Sequence, residues 1–218
     1  MSPKSFLLPE ELHAYLVDHG AAPDDVLSGL IAETAALGSV AAMQIAPEQA
    51  ALLTILTRLI DARSAVEVGT FTGASALAIA RGLGPGGRLL CCDVSEDWTA
   101  IARRAWERAG VADRIDLRIA PAAETLDALP PEPYLDLAFI DADKAGYRAY
   151  WDALVPRMRP GGALLVDNTL WSGRVVDPGD EDPDTMAIRA FNDHVAADDR
   201  VDAVLLPISD GLTLCRRR

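Results

Sequence analysis

Val66-Glu67-Val68-Gly69-Thr70-Phe71-Thr72-Gly73-Ala74-Ser75-Ala76-Leu77-Ala78-Ile79-Ala80 reads as strand, tight loop and helix. Residues 65–68 are short and valine-rich, which suits a buried strand. Gly69 and Gly73 bracket the loop, where glycine lets the backbone bend sharply and lets a ligand approach without meeting a Cβ. From Ala74 the chain is an alanine-rich helix former with apolar residues at Leu77, Ile79 and Ala80. The start of such a helix leaves N–H groups free to face a polar or anionic ligand.

The stretch resists the commonest cofactor reading. A dinucleotide fingerprint needs G-x-G-x-x-G, but Phe71 fills the middle position and leaves G-x-x-x-G. A P-loop needs Gly-Lys-Ser/Thr, and Gly73 is followed by Ala74-Ser75. Glu67, two residues before the first glycine, would repel a pyrophosphate yet could pair with a cationic ligand. The pattern points to a nucleoside cofactor with positive charge and no phosphate, a description that S-adenosylmethionine fits. The bland alternative is a tight βα turn with no ligand.

With 218 residues the default is one domain, and 50% hydrophobic with 24% charged residues is ordinary for a globular chain. The net charge of −13 argues against nucleic acid or an anionic membrane surface as main partner. No apolar run is expected to reach the roughly 20 residues of a membrane span, and the N-terminus lacks a signal peptide's apolar core. Cys91, Cys92 and Cys215 have no metal spacing and read as reduced, small apolar residues, which predicts a cytoplasmic protein.

Residues 8–62 look helical. Pro9 opens a helix ending near Gly20, Asp24 or Asp25 caps a second through Leu37, and Pro47 opens a third over 48–62 with Ala51, Leu52, Ile55 and Leu59 on one stripe. The segment 38–46, with Met43 and Gln44, runs toward the glycine loop. These helices are a cover over a site, an oligomer surface, or plain core. From residue 63 strands and helices alternate: strands are expected over 65–68, 88–92, 115–119, 135–140, 163–166, 201–207 and 212–215, and helices over 74–83, 96–109, 121–129, 144–158 and 184–197. The breakers include Gly84-Pro85-Gly86-Gly87 and Arg159-Pro160-Gly161-Gly162. Such alternation implies a mostly parallel sheet with helices on both faces, and right-handed crossovers put the strand C-termini on one edge.

The acids Glu67, Asp93, Asp141 and Asp167 fall on that edge. Asp93 either binds the two hydroxyls of a ribose or caps the helix from Glu96, and Asp141 or Asp143 could likewise be a helix cap. Asp141, Asp167 and Asn168 are three hard oxygen donors on neighbouring strand ends, a set that suits Mg²⁺, Mn²⁺ or Ca²⁺. Lys144 stands one turn past Asp141, either as a base beside the cation or as a solvated helix residue. His13, His19 and His194 are scattered and read as surface or packing residues.

Four segments carry a resemblance: 66–73, Asp141-Ala142-Asp143-Lys144, 166–173 and 210–215. The chain resembles the cation-dependent class-I O-methyltransferases, the group of caffeoyl-CoA O-methyltransferases and their bacterial relatives, with catechol O-methyltransferase more distant. The resemblance implies a Rossmann-like seven-stranded sheet with an antiparallel last strand, over one domain made of an N-terminal helical cover (1–62) and a core (63–218). It implies that Glu67, Gly69, Thr70, Ser75, Asp93, Ala122, Asp141 and Asp143 surround S-adenosylmethionine, with Met43 or Gln44 closing over it. It matches Asp141, Asp167 and Asn168 to the metal ligands and suggests a homodimer. Ser172 stands where the plant enzymes carry a substrate-contacting asparagine, so a catechol-type phenol is a safer expectation than caffeoyl-CoA. The loop 169–183, with Trp171, Ser172 and Arg174, reads as a mobile lid selecting the phenol, together with the segment around Lys4; its bland alternative is a disordered acidic loop. The rivals are an NAD-linked oxidoreductase on a similar sheet and a non-catalytic binding protein.

Overall fold

The computed structural model describes residues 8–20 and 22–218; Lys4 lies outside them. Three helices come first, α1 (Glu10–Gly20), α2 (Asp25–Ala35) and α3 (Pro47–Leu59), with a 3₁₀ segment, Gly38–Met43, leading into α3. The core then runs β1 (Ser64–Val68), α4 (Ala74–Gly82), β2 (Arg88–Asp93), α5 (Glu96–Arg108), β3 (Ile115–Ile119), α6 (Ala122–Asp127), β4 (Leu135–Ile140), α7 (Tyr147–Leu154), β5 (Met158–Val166), α8 (Pro183–Ala197), β6 (Val201–Leu206) and β7 (Leu212–Arg217).

The strands form one seven-stranded sheet in the order β3-β2-β1-β4-β5-β7-β6. β1 to β5 pair in parallel, and β7 runs antiparallel to both β5 and β6. Side chains alternate between two cores, because successive strand residues point to opposite faces. Leu89, Leu137, Phe139 and Leu165 face α3, α4 and α5, where Leu53, Leu77 and Trp106 are buried. Val66, Val68, Ile140 and Val166 face α7 and α8, where Trp151 and Phe191 meet edge to face. The strand order reverses between β1 and β4, which opens a crevice at their carboxyl ends.

Several expectations need correction. Of the stripe read on α3, Leu52 packs partly on the core whereas Ile55 and Leu59 are 53% and 74% exposed, and the helix buries Gln49, Ala50, Leu53 and Thr57 instead. The reason is close packing on α4, where a Cβ on Gly82 would collide with Thr57, so small and polar residues fill the contact. The helix expected over 144–158 is α-helical only across α7, with 3₁₀ turns at Lys144–Gly146 and Val155–Arg157. The break expected at residues 159–162 belongs to β5, whose register against β4 shifts at Leu135/Leu137 and so accommodates Pro160 and Gly161. β7 runs on to Arg217, paired with Val201. The segment Gly38–Leu59 is long and apolar enough by composition to span a membrane, contrary to expectation, but its backbone breaks at Gln44 and Ala46 and α3 packs on α4. Asp24 does cap α2, accepting from the Leu27 N–H at 2.9 Å.

Candidate active site

The glycine loop leaves β1 and is tied down by the acid that ends β2. Asp93 Oδ2 accepts from the N–H groups of Thr70 and Phe71 at 2.9 and 2.8 Å, and its Oδ1 accepts from Ser95 N–H at 2.8 Å. Ser95, not Asp93, caps α5, accepting from Trp98 N–H at 3.2 Å. Gly69 and Gly73 have φ of 88° and 85°, a region open to glycine at no steric cost. A Cβ on Gly73 would meet Ala102 and the Trp106 indole, whose Nε1 donates to the Gly73 carbonyl at 3.1 Å.

Beneath the loop Glu67 is fully enclosed. Its Oε2 accepts from Thr70 Oγ1 at 3.0 Å, and its Oε1 has no partner. Burial pushes the carboxyl up to about 7, against the pull of the Ser75 and Thr70 hydroxyls and the Cys91 thiol, and the charge of Asp141 adds to the rise. Ser75 is buried in the first turn of α4. Gln44 reaches the loop as expected, its Nε2 donating to Thr34 and Thr72 hydroxyls at 2.9 and 3.1 Å. Met43 is 46% exposed. Ala122 starts α6, half-buried against the second core.

The second half of the site lies across the crevice, after β4 and β5. Lys144 is buried, and its Nζ donates to Asn168 Oδ1 at 2.6 Å, Tyr147 Oη at 2.7 Å, the Ala142 carbonyl at 3.0 Å and Asp141 Oδ1 at 3.2 Å. Tyr147 Oη in turn donates to the Asp167 carbonyl at 3.1 Å. Lys144 is therefore no solvated helix residue. Asp141 caps nothing, and its carboxyl is raised by burial against the pull of Lys144. Asp143, expected either as a cap or as a cofactor contact, makes no cap bond and accepts from Tyr150 Oη at 2.6 Å. Asp167 is pushed up to about 7 by burial and then by the charge of Asp141, opposed by the Gln49 amide, the Asn168 N–H and Lys144. Asn168 holds φ at 57°, which turns its side chain back to Lys144.

No cluster of three or more His, Cys, Asp or Glu side chains occurs among the described residues. A cation here would rest on two acids and an amide oxygen, and the chemistry of that donor set fits a hard cation. Asp141, raised by burial and paired to the Lys144 ammonium, and Asp167, raised by burial and by the charge of Asp141, also fit a place where positive charge is wanted.

The loop after Asn168 is held by hydrogen bonds along most of its length, and its acids take part in them. Trp171, Ser172 and Gly173 take φ of 48°, 51° and 78° and form a kinked 3₁₀ segment, Trp171–Val176. Ser172 N–H donates to Asp210 Oδ1. Arg189 of α8 donates to the carbonyls of Val175 at 2.9 Å, Asp180 at 2.8 Å, Arg174 at 2.9 Å and also Asp177. Arg174 forks onto Asp180 at 2.6 and 3.2 Å. The acids shape turns, and Asp182 caps α8. The Trp171 ring lies 5.5 Å from Lys144 Nζ, with its own Nε1 buried and unpartnered. Sequence reasoning missed Tyr147, which accepts from Lys144 Nζ, and Arg189, which holds the loop.

The sequence profile described as O-methyltransferase matches residues 17–218. The chain is 40% identical over 204 residues to "Probable caffeoyl-CoA O-methyltransferase 1" of Dictyostelium discoideum, covering 92% of this chain and 89% of that one. It is 37% identical to "Caffeoyl-CoA O-methyltransferase 2" of Zea mays, covering 98% and 85%. The crystal structure of an O-methyltransferase from Bacillus cereus in complex with SAH superposes with a TM-score of 0.85 at 32% identity, covering 95% of this chain and 97% of that one. A glycine loop facing a lysine-centred acid cluster across a topological switch point, and likeness along nearly the whole length, place this chain in the O-methyltransferase family.

Proposed function

We propose that this enzyme transfers the methyl group of S-adenosylmethionine to one hydroxyl of a catechol-type or other vicinal-dihydroxy phenol, with the help of a divalent cation. The observation that carries the reading is Lys144 Nζ gathering Asp141 and Asn168 beside Asp167, directly across from the glycine loop. Gly69, Thr70, Ser75, Asp93, Asp143 and Ala122 line the cofactor side, with Met43 and Gln44 approaching from the N-terminal helices. The Asp93 carboxylate keeps capacity to accept from ribose hydroxyls beyond the loop amides it already holds. Asp141, Asp167 and Asn168 would hold the cation, Mg²⁺ first and Mn²⁺ or Ca²⁺ as alternatives. When bound, it would supply a positive charge that lowers the pKa of a phenolic hydroxyl.

Lys144 Nζ, already within hydrogen-bonding reach of that cluster, takes the hydroxyl proton in its neutral form, a form that the positive charge of the cation beside it would favour. The phenolate oxygen then attacks the sulfonium methyl in line; the O–C bond forms, the C–S bond breaks and S-adenosylhomocysteine leaves. The chain's own contribution is mainly orientation. Trp171 offers the phenol an aromatic face beside Lys144, with Ser172 next to it and Lys4 as a further contact. A nicotinamide cofactor fits less well, because the Thr70 and Phe71 N–H groups that would cradle its pyrophosphate are spent on Asp93.

The exposed apolar residues Ile55 and Leu59 on α3 support a homodimer through the N-terminal helices, a reading that light scattering at 23.2 kDa would overturn. Three buried free cysteines suit a reducing, cytoplasmic setting. The deciding experiment is a labelled-methyl screen over catechols, flavonoids and hydroxycinnamoyl esters, with and without EDTA. Transfer to a vicinal diol that EDTA abolishes and Mg²⁺ or Mn²⁺ restores is expected; undiminished transfer in EDTA would remove the cation from the reading.

A further inference from the structure

The closing segment 210–215 holds none of the residues that face the proposed reactants. Its first two residues, Asp210 and Gly211, belong to the turn from β6 into β7. β7 pairs with β5 as far as Val166 and Thr213, so the turn lies beside the residues that leave β5, Asp167 and Asn168. There it seats the loop that follows. The Gly211 and Asp210 carbonyls accept from the N–H groups of Thr169 and Leu170 at 2.9 Å each, and Asp210 Oδ1 accepts from Ser172 N–H. A Cβ on Gly211 would overlap the Leu170 backbone nitrogen, so turn and loop lie in direct contact. Two side chains close the grip on Thr169: Thr213 Oγ1 donates to its hydroxyl at 3.0 Å and Asn192 Nδ2 to its carbonyl at 2.8 Å.

The loop held in this way is strained. Asn168, Trp171 and Ser172 keep φ of 57°, 48° and 51° without being glycine. Such residues persist only where their surroundings over-determine them, and for a bulky residue the left-handed region is an outlier. A mere connector from β5 to α8 has no need of this conformation. What the strain achieves is placement, since the Trp171 ring lies 5.5 Å from Lys144 Nζ. The contact of Asp210 with Ser172 is at the surface, where Ser172 is exposed. Water can replace a lost partner there, so the bond adds little to the stability of the fold.

We propose that Asp210 is a positioning residue for the methyl acceptor: by accepting from Ser172 N–H it keeps Trp171 and Ser172 in their left-handed turn and holds the Trp171 ring beside Lys144. The inference rests on the acceptor reading above.

The test uses the full chain as wild type, Asp210→Ala and Asp210→Asn, with Mg²⁺ present. The acceptor is catechol, or the vicinal diol turned over fastest in the screen above. Asp210→Ala should raise its KM about tenfold and leave kcat nearly unchanged, the mark of lost ground-state positioning. Hydrogen exchange of the 168–173 amides should quicken about tenfold in the same variant, with the sheet unchanged. Asp210→Asn keeps an oxygen that accepts from Ser172 N–H and should stay within about twofold of wild type in both measurements. S-adenosylhomocysteine affinity and melting temperature should agree across the three proteins. A residue serving the fold alone would lower melting and leave KM where it was. An alanine variant with wild-type KM, an asparagine variant as impaired as alanine, or an alanine variant that melts markedly lower or fails to fold overturns the inference. If wild type methylates no vicinal diol, the acceptor reading falls and takes this inference with it; if wild type is active and both variants match it, only the role of Asp210 falls.

Discussion

Gly69 and Asp141 touch backbone to backbone: a Cβ on Gly69 would overlap the Asp141 carbonyl oxygen. Asp141 N–H is in turn hydrogen-bonded to the Val68 carbonyl at 2.8 Å, so the start of the glycine loop and the first acid of the opposite cluster are held in one register. The spacing between the glycine loop and the acid cluster is set by a contact that tolerates no side chain.

Gly69→Ala should therefore act on the chemistry more than on binding. The substitution also strains a backbone at φ 88°, at a cost of about 1–3 kcal/mol. A misplacement of about 1 Å between reacting groups can cost about 100-fold in rate. We expect kcat to fall by that order while S-adenosylhomocysteine affinity, measured separately by calorimetry, changes by less than tenfold. A folded variant with near-normal kcat would show that the contact does not set the reacting distance.

Asp93→Ala should weaken S-adenosylhomocysteine binding in two ways, through lost ribose contacts and through a loop whose Thr70 and Phe71 amides have lost their acceptor. Charge-assisted hydrogen bonds are worth about 1.5–3 kcal/mol, or roughly 10–100-fold in affinity. Asp93→Asn keeps one acceptor oxygen and should fall between. Calorimetry on the three proteins orders them, and an alanine variant that binds like wild type would assign Asp93 no part in the cofactor site.

Glu67 makes the ligand-free fold sensitive to pH. Its carboxyl rises from 4.5 to about 7 on burial, so the folded chain holds the proton more tightly than the unfolded one. The stability that this proton brings is whole below about 4.5 and is lost as pH rises through 7. Relative to Glu67→Gln, wild type should lose up to about 3 kcal/mol between pH 5 and pH 8. Urea unfolding of both proteins at the two pH values measures it; a constant difference would mean the carboxyl stays in one charge state throughout.

Arg189→Lys should disturb acceptor recognition and spare the cofactor. A lysine ammonium cannot reproduce the planar fork that reaches the carbonyls of Arg174, Val175, Asp177 and Asp180. The expected result is a KM for the phenol raised about tenfold with S-adenosylhomocysteine affinity unchanged, whereas Trp171→Ala should alter the ranking of phenols by kcat/KM. A uniform change across every phenol in both variants would move specificity to the pocket walls.

Much of this architecture was legible in the residues. Ile115–Ile119 forms an edge strand where its apolar residues alternate with charged ones, and Leu135–Ile140 forms a strand where a nearly continuous apolar run is buried on both faces. The acids at the strand ends were legible too, since topology alone carries them to one edge. The buried face of α3 stayed open, because the helix carries apolar residues on more than one side: Ala50 and Leu53 are buried with Thr57 close against Gly82, while Ile55 and Leu59 stand outside. The start of β5 was hidden by Pro160 and Gly161, which read as a break until the shifted register accommodates them. The anchored loop was hidden more deeply, since an arginine bound to main-chain carbonyls has no partner residue type to look for.

That last feature also bears on how such an enzyme changes over time. Arg189 grips the loop only by its peptide carbonyls, and every residue type supplies one. Side chains between Val175 and Gly179 can be exchanged without loosening the clasp, provided Arg174 and Asp180 keep their pair. On the proposed reading this loop is a replaceable part on a standard fitting: new acceptor preferences could be explored there while the methyl-donor side and the sheet beneath it stay as they are.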